Sequence, residues 1–372
     1  MEELICSRCK TRYSTDEPRW RCDCGGFLDL VFEPVFDIPL IETRPANLWR
    51  YQEALPVSPA SVITLGESMT ALLPVEFDGK TALIKQDHLF PTGSFKDRGA
   101  SVMMSKIREL GIQSVVEDSS GNAGSAVAGY SAAAGIDCEI FVPASTSAGK
   151  LAQIRMYGAR LNLVPGTRED TSRAIWETAQ HTFYASHIWN PYFLHGTKTF
   201  AFEVCEQLGW QAPDTVVLPA AHGSLLLGTY IGFSELLKAG ITQKMPKLVA
   251  VQTANCAPLA TAFHAGSDVP ATVDPLPTLA EGISIAVPVR GKQMLGGVRS
   301  TGGTFYAVTE DEILQTLRRM AARGLYIEPT TAAITAGLIR YLPSSADGEV
   351  VVSVFTGHGL KATEKLLKLM EH

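Results

Sequence analysis

The sequence predicts an α/β protein with doubly wound parallel sheets that are covered by helices on both faces. From about residue 80, short apolar strands alternate with helical stretches up to the C-terminal end. Strands that are apolar throughout indicate burial on both faces, which is typical of parallel sheets. The 372 residues suffice for two packed lobes, or for one large α/β unit with an inserted smaller one. Four cysteines near the N-terminus predict a Cys-rich ribbon ahead of this body.

The alternation rests on apolar runs of strand length that lie between stretches with helical periodicity. Strands are predicted at 81–86, 114–118, 138–143, 160–164, 182–186, 215–219, 247–252 and 349–355. Helices are predicted at 96–110, 123–134, 148–157, 168–180, 194–208, 224–238, 310–322, 331–341 and 360–370. Gly135 directly follows the second of these helices and is expected to close it.

Four regions follow from these patterns. They are a Cys-rich head at 1–30, an extended arm with the start of a large lobe at 31–80, the large lobe itself at 81–100 and 188–372, and a small mobile lobe at 101–187. Five prolines between residues 31 and 60 favour an extended arm that wraps the body. Residues 265–304 are rich in Gly, Pro and Val without helical period, and we expect an ordered loop there.

Composition and charge exclude several classes of protein. Hydrophobic residues make up 46% and charged residues 19%, which is the balance of a folded domain and argues against disorder. A formal net charge of −6 provides no basic surface for nucleic acid or an anionic membrane. No apolar run approaches 18 residues, and the N-terminus lacks the layout of a signal peptide. We therefore expect a cytoplasmic protein without membrane or nucleic-acid partners.

The cysteines form two groups. The pattern C-x2-C, a gap of twelve residues and C-x-C contains Cys6, Cys9, Cys22 and Cys24. Paired thiolates on two short turns suit tetrahedral zinc, and a cytosolic setting argues against disulfides. Because C-x-C is tighter than the usual C-x2-C turn, a ribbon that no longer binds metal is an equal alternative. The cysteines in apolar stretches are expected in the core, and they are Cys138, Cys205 and Cys256.

The segment PTGSFKDRGA at 91–100 carries the sharpest chemical signal. Lys96 begins a predicted helix after a Gly-Ser turn. The dipole and free N–H groups at a helix start favour the neutral amine, which is the form that attacks a carbonyl cofactor. Taken alone, a lysine in the first turn of a helix is more commonly a solvated surface residue.

Three further turns connect a strand to a helix. SSGNAG at 119–124 offers N–H groups to an anion such as a carboxylate, although a simple N-capped helix explains it too. The turn after VLP at 217–219 is a candidate phosphate cradle with few glycines. In FTGHGLK at 355–361, Thr356 leaves a buried strand, where its hydroxyl could face a ligand or cap the last helix.

Together, these four segments resemble, in order and spacing, the fold-type-II enzymes that depend on pyridoxal 5′-phosphate (PLP), whose two-lobed fold is like that of the tryptophan synthase β chain. The resemblance is closest to the threonine synthase family. The Cys-rich head, CGGFLDL, GESMT at 66–70, WNPYFLHGTKTFAFE at 189–203 and TGHGLK carry it, and it spans nearly the whole chain. It implies a PLP-dependent enzyme acting on a small amino acid, in a family that usually forms homodimers.

The resemblance also implies roles for individual residues. Lys96 would be the Schiff-base lysine and proton shuttle, Phe95 would lie beside the cofactor ring, and Asn122 would bond the ring hydroxyl. The substrate carboxylate would bind the turn of Ser119, Ser120, Gly121, Asn122 and Ala123. The cofactor phosphate would bind the backbone of Ala221, His222, Gly223, Ser224 and Leu225. Thr356 would contact the pyridine nitrogen, and a neutral hydroxyl there favours elimination and replacement at the side chain over transamination.

The sequence departs from the family pattern where a substrate phosphate would bind. The family has an arginine in an N-P-x-R segment, which here reads Asn190-Pro191-Tyr192-Phe193, and a threonine where Ala123 stands. An aromatic ring cannot replace a guanidinium as the partner of a phosphate dianion. One reading is that another arginine binds the phosphate, namely Arg155, Arg168 or Arg290. The favoured reading is a substrate without phosphate, with Phe193 and Tyr192 on the pocket wall, and a third is that Phe193 is a core residue.

Three functions are compatible with these observations. The first is a PLP-dependent lyase or replacement enzyme acting on a small hydroxy- or O-phospho-amino acid, for which threonine synthase is the nearest named activity. The second is a serine/threonine ammonia-lyase or a β-replacement enzyme. The third is a non-catalytic regulatory relative, which the presence of Lys96, Asn122 and Thr356 argues against.

Overall fold

The computed structural model describes residues 2–166 and 168–370, without the side chains of Arg168 and Glu169. The strands are β1 (Glu3–Cys6), β2 (Arg12–Ser14), β3 (Leu28–Val31), β4 (Leu72–Phe77), β5 (Lys80–Lys85), β6 (Ser114–Glu117), β7 (Asp137–Pro143), β8 (Arg160–Val164), β9 (Phe183–Tyr184), β10 (Thr215–Pro219), β11 (Lys247–Thr253), β12 (Thr304–Val308) and β13 (Val351–Val354). The α-helices are α1 (Ile38–Thr43), α2 (Lys96–Glu109), α3 (Asn122–Ala134), α4 (Ala148–Met156), α5 (Arg168–Thr178), α6 (Pro191–Thr197), α7 (Thr199–Gln207), α8 (Ser224–Lys238), α9 (Pro258–His264), α10 (Gly291–Ser300), α11 (Glu310–Ala321), α12 (Pro329–Tyr341) and α13 (Thr363–Met370).

The chain divides into two units. The first contains the residues up to Ser68 together with Lys96–Thr197, and the second contains Met69–Phe95 together with the residues from Lys198 onward. In the predicted division, the head and the arm are separate regions, and residues 188–197 belong to the large lobe. Those domain boundaries stay a prediction.

The N-terminal head is a small antiparallel sheet in the order β2-β1-β3. Leu4 on the central strand lies opposite Tyr13 on one side and Leu30 on the other. Leu4 and Leu28 belong to the same buried apolar cluster as residues of α2 and α3, so the head packs on the core of the first unit. The predicted Cys-rich ribbon is therefore an integral layer of that unit.

Residues 31–60 differ from the expected extended arm. They form α1 and two short 3₁₀ helices, at Leu48–Ala54 and Pro59–Ser61. Asp37 caps α1, because its side chain accepts a hydrogen bond from the Leu40 amide. Pro39 lies in the first turn of α1, where a missing N–H is tolerated. The prediction of an extended arm was wrong for these stretches, since proline also begins helices.

The first unit contains a parallel sheet in the order β8-β7-β6-β9. Its central strands are apolar, and Val115 and Val116 of β6 are each 1% exposed. Helix α3 follows β6 and ends at Gly135, whose φ of 65° is the left-handed conformation that closes a helix. This arrangement confirms the predicted doubly wound architecture and places the turn 118–121 at the carboxyl end of β6.

The second unit contains the larger sheet, in the order β12-β11-β10-β13-β5-β4. Its strands pair in parallel except for β4, which pairs antiparallel to β5 at the edge. Every residue of β10 and of β13 is buried, as expected for strands covered on both faces. Their carboxyl ends lead into the turns at 220–223 and 355–358.

Several elements were not predicted. The expected loop at 265–304 contains α10 and the short 3₁₀ helix Glu281–Ile283, and the helix expected at 194–208 is divided into α6 and α7. Strands β4 and β12 were missed because they lie at the edges of the sheet, where the apolar signal is weak. Within the described ranges, no helix combines the length and the apolar character that a membrane crossing requires.

Candidate active site

Lys96 and Phe193 lie together in the first unit. Lys96 is the first residue of α2, and its Nζ atom lies 5.7 Å from the centroid of the Phe193 ring. The ring is fully buried, at 0% exposure. A Cβ atom at Gly99 would lie only 2.3 Å from a ring carbon, so this glycine is what allows α2 and α6 to pack around the ring. The structure therefore places an apolar wall beside the amine.

Tyr192 faces a different part of α2. Its ring centroid lies 5.4 Å from Nζ of Lys106, ten residues beyond Lys96. Tyr192 is 3% exposed and belongs to the apolar core of the first unit. Of the two neighbouring rings expected to line a pocket, Phe193 is the one beside Lys96.

Glu117, the last residue of β6, and Asp118, directly after it, are buried acidic residues that the sequence patterns did not indicate. Glu117 Oε1 lies 2.6 Å from Nδ1 of His187, whose ring centroid is 6.0 Å from that of Phe193. The next residue, Asp118, accepts a hydrogen bond of 2.6 Å from the Tyr184 hydroxyl. Burial, reinforced by the two carboxylates, raises the pKa of Tyr184 well above its usual value, so the phenol stays a donor. No local sequence motif predicts the Asp118–Tyr184 and Glu117–His187 pairs, because their members are 66 and 70 residues apart.

The turn that follows is shaped as an anion site. Gly121 is the N-cap of α3, so no side chain of the cap residue competes for the first amides of that helix. Ser119 Oγ accepts a 3.3 Å hydrogen bond from the Gly121 amide, while a Cβ at Gly124 would lie 1.8 Å from the Ser119 carbonyl oxygen. Ser119, Ser120 and Asn122 are half-buried, Gly121 is exposed and Ala123 is buried. The positive end of a helix attracts an anion such as a carboxylate.

The second unit contains a similar turn between β10 and α8. Its N-cap residue, Gly223, has a φ of 91°, which favours glycine. A Cβ there would lie 2.6 Å from Sδ of Met294. Ala221 and His222 are half-buried, whereas Ser224 and Leu225 are buried. As at α3, the positive end of a long helix favours an anion here.

Thr356 lies in a hydrogen-bonded network at the carboxyl end of β13. Its hydroxyl is 2.9 Å from Oγ1 of Thr331 and 3.4 Å from Oε1 of Glu328. Thr331 Oγ1 also accepts hydrogen bonds of 3.1 Å from the amides of Thr356 and Gly357. With both acceptor sites filled, the Thr331 hydroxyl is a donor, to Thr356 Oγ1 and over the longer distance of 3.4 Å to the Gly357 carbonyl. Sequence reasoning missed Thr331 and Glu328, which lie on the distant α12 and its N-cap.

The peptide just before Lys96 pairs with this same turn. The Phe95 amide donates to the Thr356 carbonyl at 2.9 Å, and the His358 amide donates to the Gly93 carbonyl at 3.0 Å. Between them, Ser94 is fully buried, and its hydroxyl has no hydrogen-bond partner within the described part of the chain. An orphaned buried hydroxyl indicates a bound polar group, because leaving it unsatisfied would be costly. This observation fits a cofactor held at Lys96.

The three arginines considered as phosphate ligands have different environments. Arg155 is exposed on α4, while Arg290 is 1% exposed and donates to Gln293 Oε1 at 3.1 Å. The side chain of Arg168 lies outside the described residues. The structure thus brings Lys96 together with Phe193 in the first unit, and Phe95 together with Thr356 in the second.

Comparisons with known proteins show the family of the chain. Residues 63–357 match the family described as "Pyridoxal-phosphate dependent enzyme". Threonine synthase of Methanocaldococcus jannaschii is 34% identical, over 98% of this chain and 94% of its own length. Threonine synthase of Methanosarcina acetivorans is also 34% identical, over 100% and 95%.

Solved structures show the same fold at lower identity. Threonine deaminase isoform 2 from Solanum lycopersicum matches with a TM-score of 0.70 and 21% identity, covering 91% of each chain. A fungal L-serine ammonia-lyase from Rhizomucor miehei matches with a TM-score of 0.70 and 21% identity, covering 82% of this chain and 98% of its own. Together with the near full-length relatives, this confirms the fold and the family resemblance, and it favours an enzyme over a non-catalytic relative. The chain therefore belongs to the pyridoxal-phosphate-dependent enzymes, as a lyase-type member of the threonine synthase family.

Proposed function

We propose that this enzyme acts on a small amino acid whose side chain carries a hydroxyl or another uncharged leaving group, and that its substrate has no phosphate. The observation that carries the proposal is the fully buried Phe193 ring, 5.7 Å from Lys96 Nζ. A phosphate dianion beside this ring would lose its hydration without gaining a charged partner. A small uncharged side chain incurs no such penalty.

Lys96 is the residue that would hold the cofactor covalently and move the proton. When bound, PLP supplies the electron sink that makes the α-proton of an amino acid removable. The Lys96 amine, once released, would accept this proton at Nζ. The Phe193 ring would keep water away from the Lys96 amine. Because desolvation disfavours the charged form, this would preserve the neutral amine.

The two helix-start turns would bind anionic groups. The amides of Ser119–Ala123 would take the substrate carboxylate, with Asn122 bonding the cofactor's ring hydroxyl. The amides of Ala221–Leu225 would take the cofactor phosphate. Support comes from the glycine at each helix N-cap, Gly121 and Gly223, since neither adds a side chain at the positive end of its helix.

Thr356 would donate a hydrogen bond to the pyridine nitrogen. Thr331 fills one acceptor site of the Thr356 hydroxyl, and the Thr356 proton, which donates to Glu328 Oε1 over 3.4 Å, would turn to the ring nitrogen when the cofactor is bound. A ring nitrogen that accepts a hydrogen bond is unprotonated. This state favours loss or replacement of a side-chain group over transamination.

The deciding experiment is a substrate panel on the PLP-loaded enzyme. Serine, threonine, O-acetylserine, O-phosphoserine and O-phosphohomoserine would be compared by released keto acid, ammonia and phosphate. We expect turnover of serine or threonine to a 2-keto acid and ammonia, or exchange of the acetyl group. Turnover restricted to the phosphorylated substrates would overturn the proposal.

The second candidate is threonine synthesis from O-phosphohomoserine. It is favoured by relatives of that name that are 34% identical over almost the whole chain. The phosphate would then need a basic partner other than residue 193. The candidate is Arg290, which is buried and donates to Gln293 Oε1. Release of inorganic phosphate together with threonine would identify this reaction. An Arg290→Gln variant that keeps full phosphate release would exclude that arginine as the partner.

A homodimer and a cytoplasmic setting are also proposed, as is the division into the Cys-rich head, a segment at 31–80 that leads into the large lobe, the large lobe itself and the small lobe. The support is the family resemblance and the chain composition. Light scattering of the purified holoenzyme would test the dimer, for which a mass near twice the 40.1 kDa of one chain is expected.

A further inference from the structure

We propose that Cys6, Cys9, Cys22 and Cys24 bind one zinc ion, and that this metal-bound ribbon positions the turn after β6. The metal site stands on the cysteine geometry alone. Its effect on the turn rests on the function proposed for Ser119–Ala123. The two parts are therefore tested separately.

The four sulfur atoms lie close enough together to share one metal ion. All of them lie within 4.8 Å of one another. The Cys6–Cys24 and Cys9–Cys22 pairs are 3.5 Å and 3.4 Å apart. Zinc–sulfur bonds of about 2.3 Å would place the sulfurs about 3.8 Å apart in a tetrahedron. A disulfide would need roughly 2.05 Å, so the arrangement fits a shared ion better than two disulfides.

The surrounding backbone is formed around these sulfurs. Amides of Arg8 and Cys9 donate to Cys6 Sγ at 3.3 Å and 3.4 Å. A Cβ at Gly26 would lie 2.7 Å from the same sulfur and 3.4 Å from that of Cys24. Amide donors stabilise thiolates, and the glycine keeps space beside them. Both features support thiolate ligands.

The local charge also suits a bound tetrathiolate. Four thiolates and one Zn²⁺ carry a net charge of −2, which nearby cations would offset. Between residues 8 and 21 the ribbon carries five cations and two acids. Arg12 and Arg19 form ion pairs with Glu3, Glu17 and Asp23, so the offset would come from Arg8, Lys10 and Arg21. Zinc is favoured over oxidation-sensitive metals because four soft ligands with no open position are typical of a structural zinc site.

Such an ion would hold the ribbon against the first unit. The strands β1, β2 and β3 contain only three or four residues each, which is short for an independent sheet. Cys6 and Cys22 belong to the apolar core that also contains residues of α2 and α3. Cross-linking them through a metal would therefore stabilise the layer that packs on the site-bearing helices.

Trp20, two residues before Cys22, connects the ribbon to the proposed substrate turn. Its ring meets that of Tyr184 edge-on, with centroids 5.1 Å apart. The Tyr184 hydroxyl donates to Asp118 at 2.6 Å, and Asp118 directly precedes Ser119. Trp20 and Tyr184 are both buried, so displacing one ring would disturb the other. Trp20 is in this sense a positioning residue for the turn.

The metal is tested by elemental analysis of the full-length holoenzyme. We expect one zinc per chain, released by a mercurial reagent that blocks thiols. The Cys9→Ser/Cys24→Ser double variant should lose the zinc, while Cys256→Ala, outside the cluster, should keep it. Absence of metal, iron in place of zinc, or disulfides between these cysteines would each overturn the metal site. None of these readouts depends on turnover.

The positioning role is tested with Trp20→Leu, which leaves all four cysteines in place. We expect zinc and cofactor absorbance to stay and the KM for the amino acid to rise at least roughly threefold, with a smaller change in kcat. Trp20→Phe should recover most of the loss. Trp176→Leu, which removes a half-exposed ring of the same aromatic cluster, is the matched control. An unchanged KM in Trp20→Leu would reject the positioning role and leave the zinc result standing.

Discussion

At the scale of single residues, Lys96 and Thr356 have different surroundings, an aromatic ring for Lys96 and polar side chains for Thr356. Lys96 begins α2 and lies beside the buried Phe193 ring. Thr356 is instead held by polar neighbours, Thr331 and Glu328. The roles proposed for them are proton transfer for Lys96 and hydrogen-bond donation for Thr356. Two substitutions separate these roles.

Lys96→Ala should remove the visible absorbance of lysine-linked PLP and lower turnover at least roughly 1,000-fold, because the proton carrier is lost. Absorbance spectra with and without borohydride, followed by assays on the best substrate, measure both effects. Lys292→Ala, at an exposed position on α10, should match the wild type. A Lys96→Ala protein that stayed coloured and active would reject the assignment.

Thr356→Val should keep the cofactor but lower kcat roughly 10- to 100-fold, since the donor to the ring nitrogen is gone. Loss of the buried hydrogen bonds should also lower the free energy of unfolding by about 1–2 kcal/mol. Thr335→Val is the control, because Thr335 is buried on the same helix as Thr331 and donates only to the Thr331 carbonyl, at 2.9 Å. Equal kcat losses in both variants would point to general damage.

At the scale of elements, close packing of helices places the functional side chains. Helices α2 and α6 approach until Phe193 lies against the backbone at Gly99. Gly196 on α6 is packed in the same way, since a Cβ there would lie 2.1 Å from the Arg98 carbonyl oxygen. The distance between Lys96 and Phe193 therefore depends on two glycines, Gly99 and Gly196.

Gly99→Ala should lower the free energy of unfolding by about 1–3 kcal/mol and shift Phe193, because the added methyl overlaps the ring. Gly296→Ala is the matched change, since a Cβ there meets nothing within 4 Å on the exposed face of α10. It should raise stability by about 0.5–1 kcal/mol. Chemical denaturation of both variants gives the two values, and the same sign for both would contradict this packing argument.

At the scale of the whole molecule, stability is coupled to pH through a buried histidine. The His88 ring stacks on that of His358, with centroids 5.6 Å apart, and is 6% exposed. Burial, assisted by the nearby His358, lowers the pKa of His88 from 6.5 to about 4, against a smaller opposing effect of Asp87. The folded protein therefore keeps His88 neutral in a range where the unfolded chain binds a proton.

As pH falls from about 6.5 towards about 4, this difference should reduce stability by up to about 3 kcal/mol. Above pH 6.5 both states are neutral at His88 and the contribution vanishes. His88→Gln should lose less stability than the wild type between pH 7 and 4.5, as measured by urea unfolding. His181→Gln, at an exposed position, should follow the wild type. Parallel curves for wild type and His88→Gln would contradict the assignment.

Local chemistry was sufficient to predict most of the fold. Helix α8 occupies the predicted range, Ser224–Lys238, and α3 ends at Gly135 as expected. These boundaries depend on glycine conformations and on apolar periodicity, which are readable within a few residues. The helix α10 was missed because three of its ten residues are glycine, which has a low helix propensity, so that packing decides its conformation.

The sequence by itself determined the α/β alternation, the cysteine cluster and the identity of the turns that carry Lys96, Asn122 and Thr356. Only the tertiary structure decided that Phe193 faces Lys96, that Thr331 orients Thr356, and that Trp20 reaches Tyr184 and through it Asp118. Turns and helix ends arise from interactions between near neighbours in the chain. Those side-chain contacts join residues far apart in sequence, and they exist only after the helices have packed.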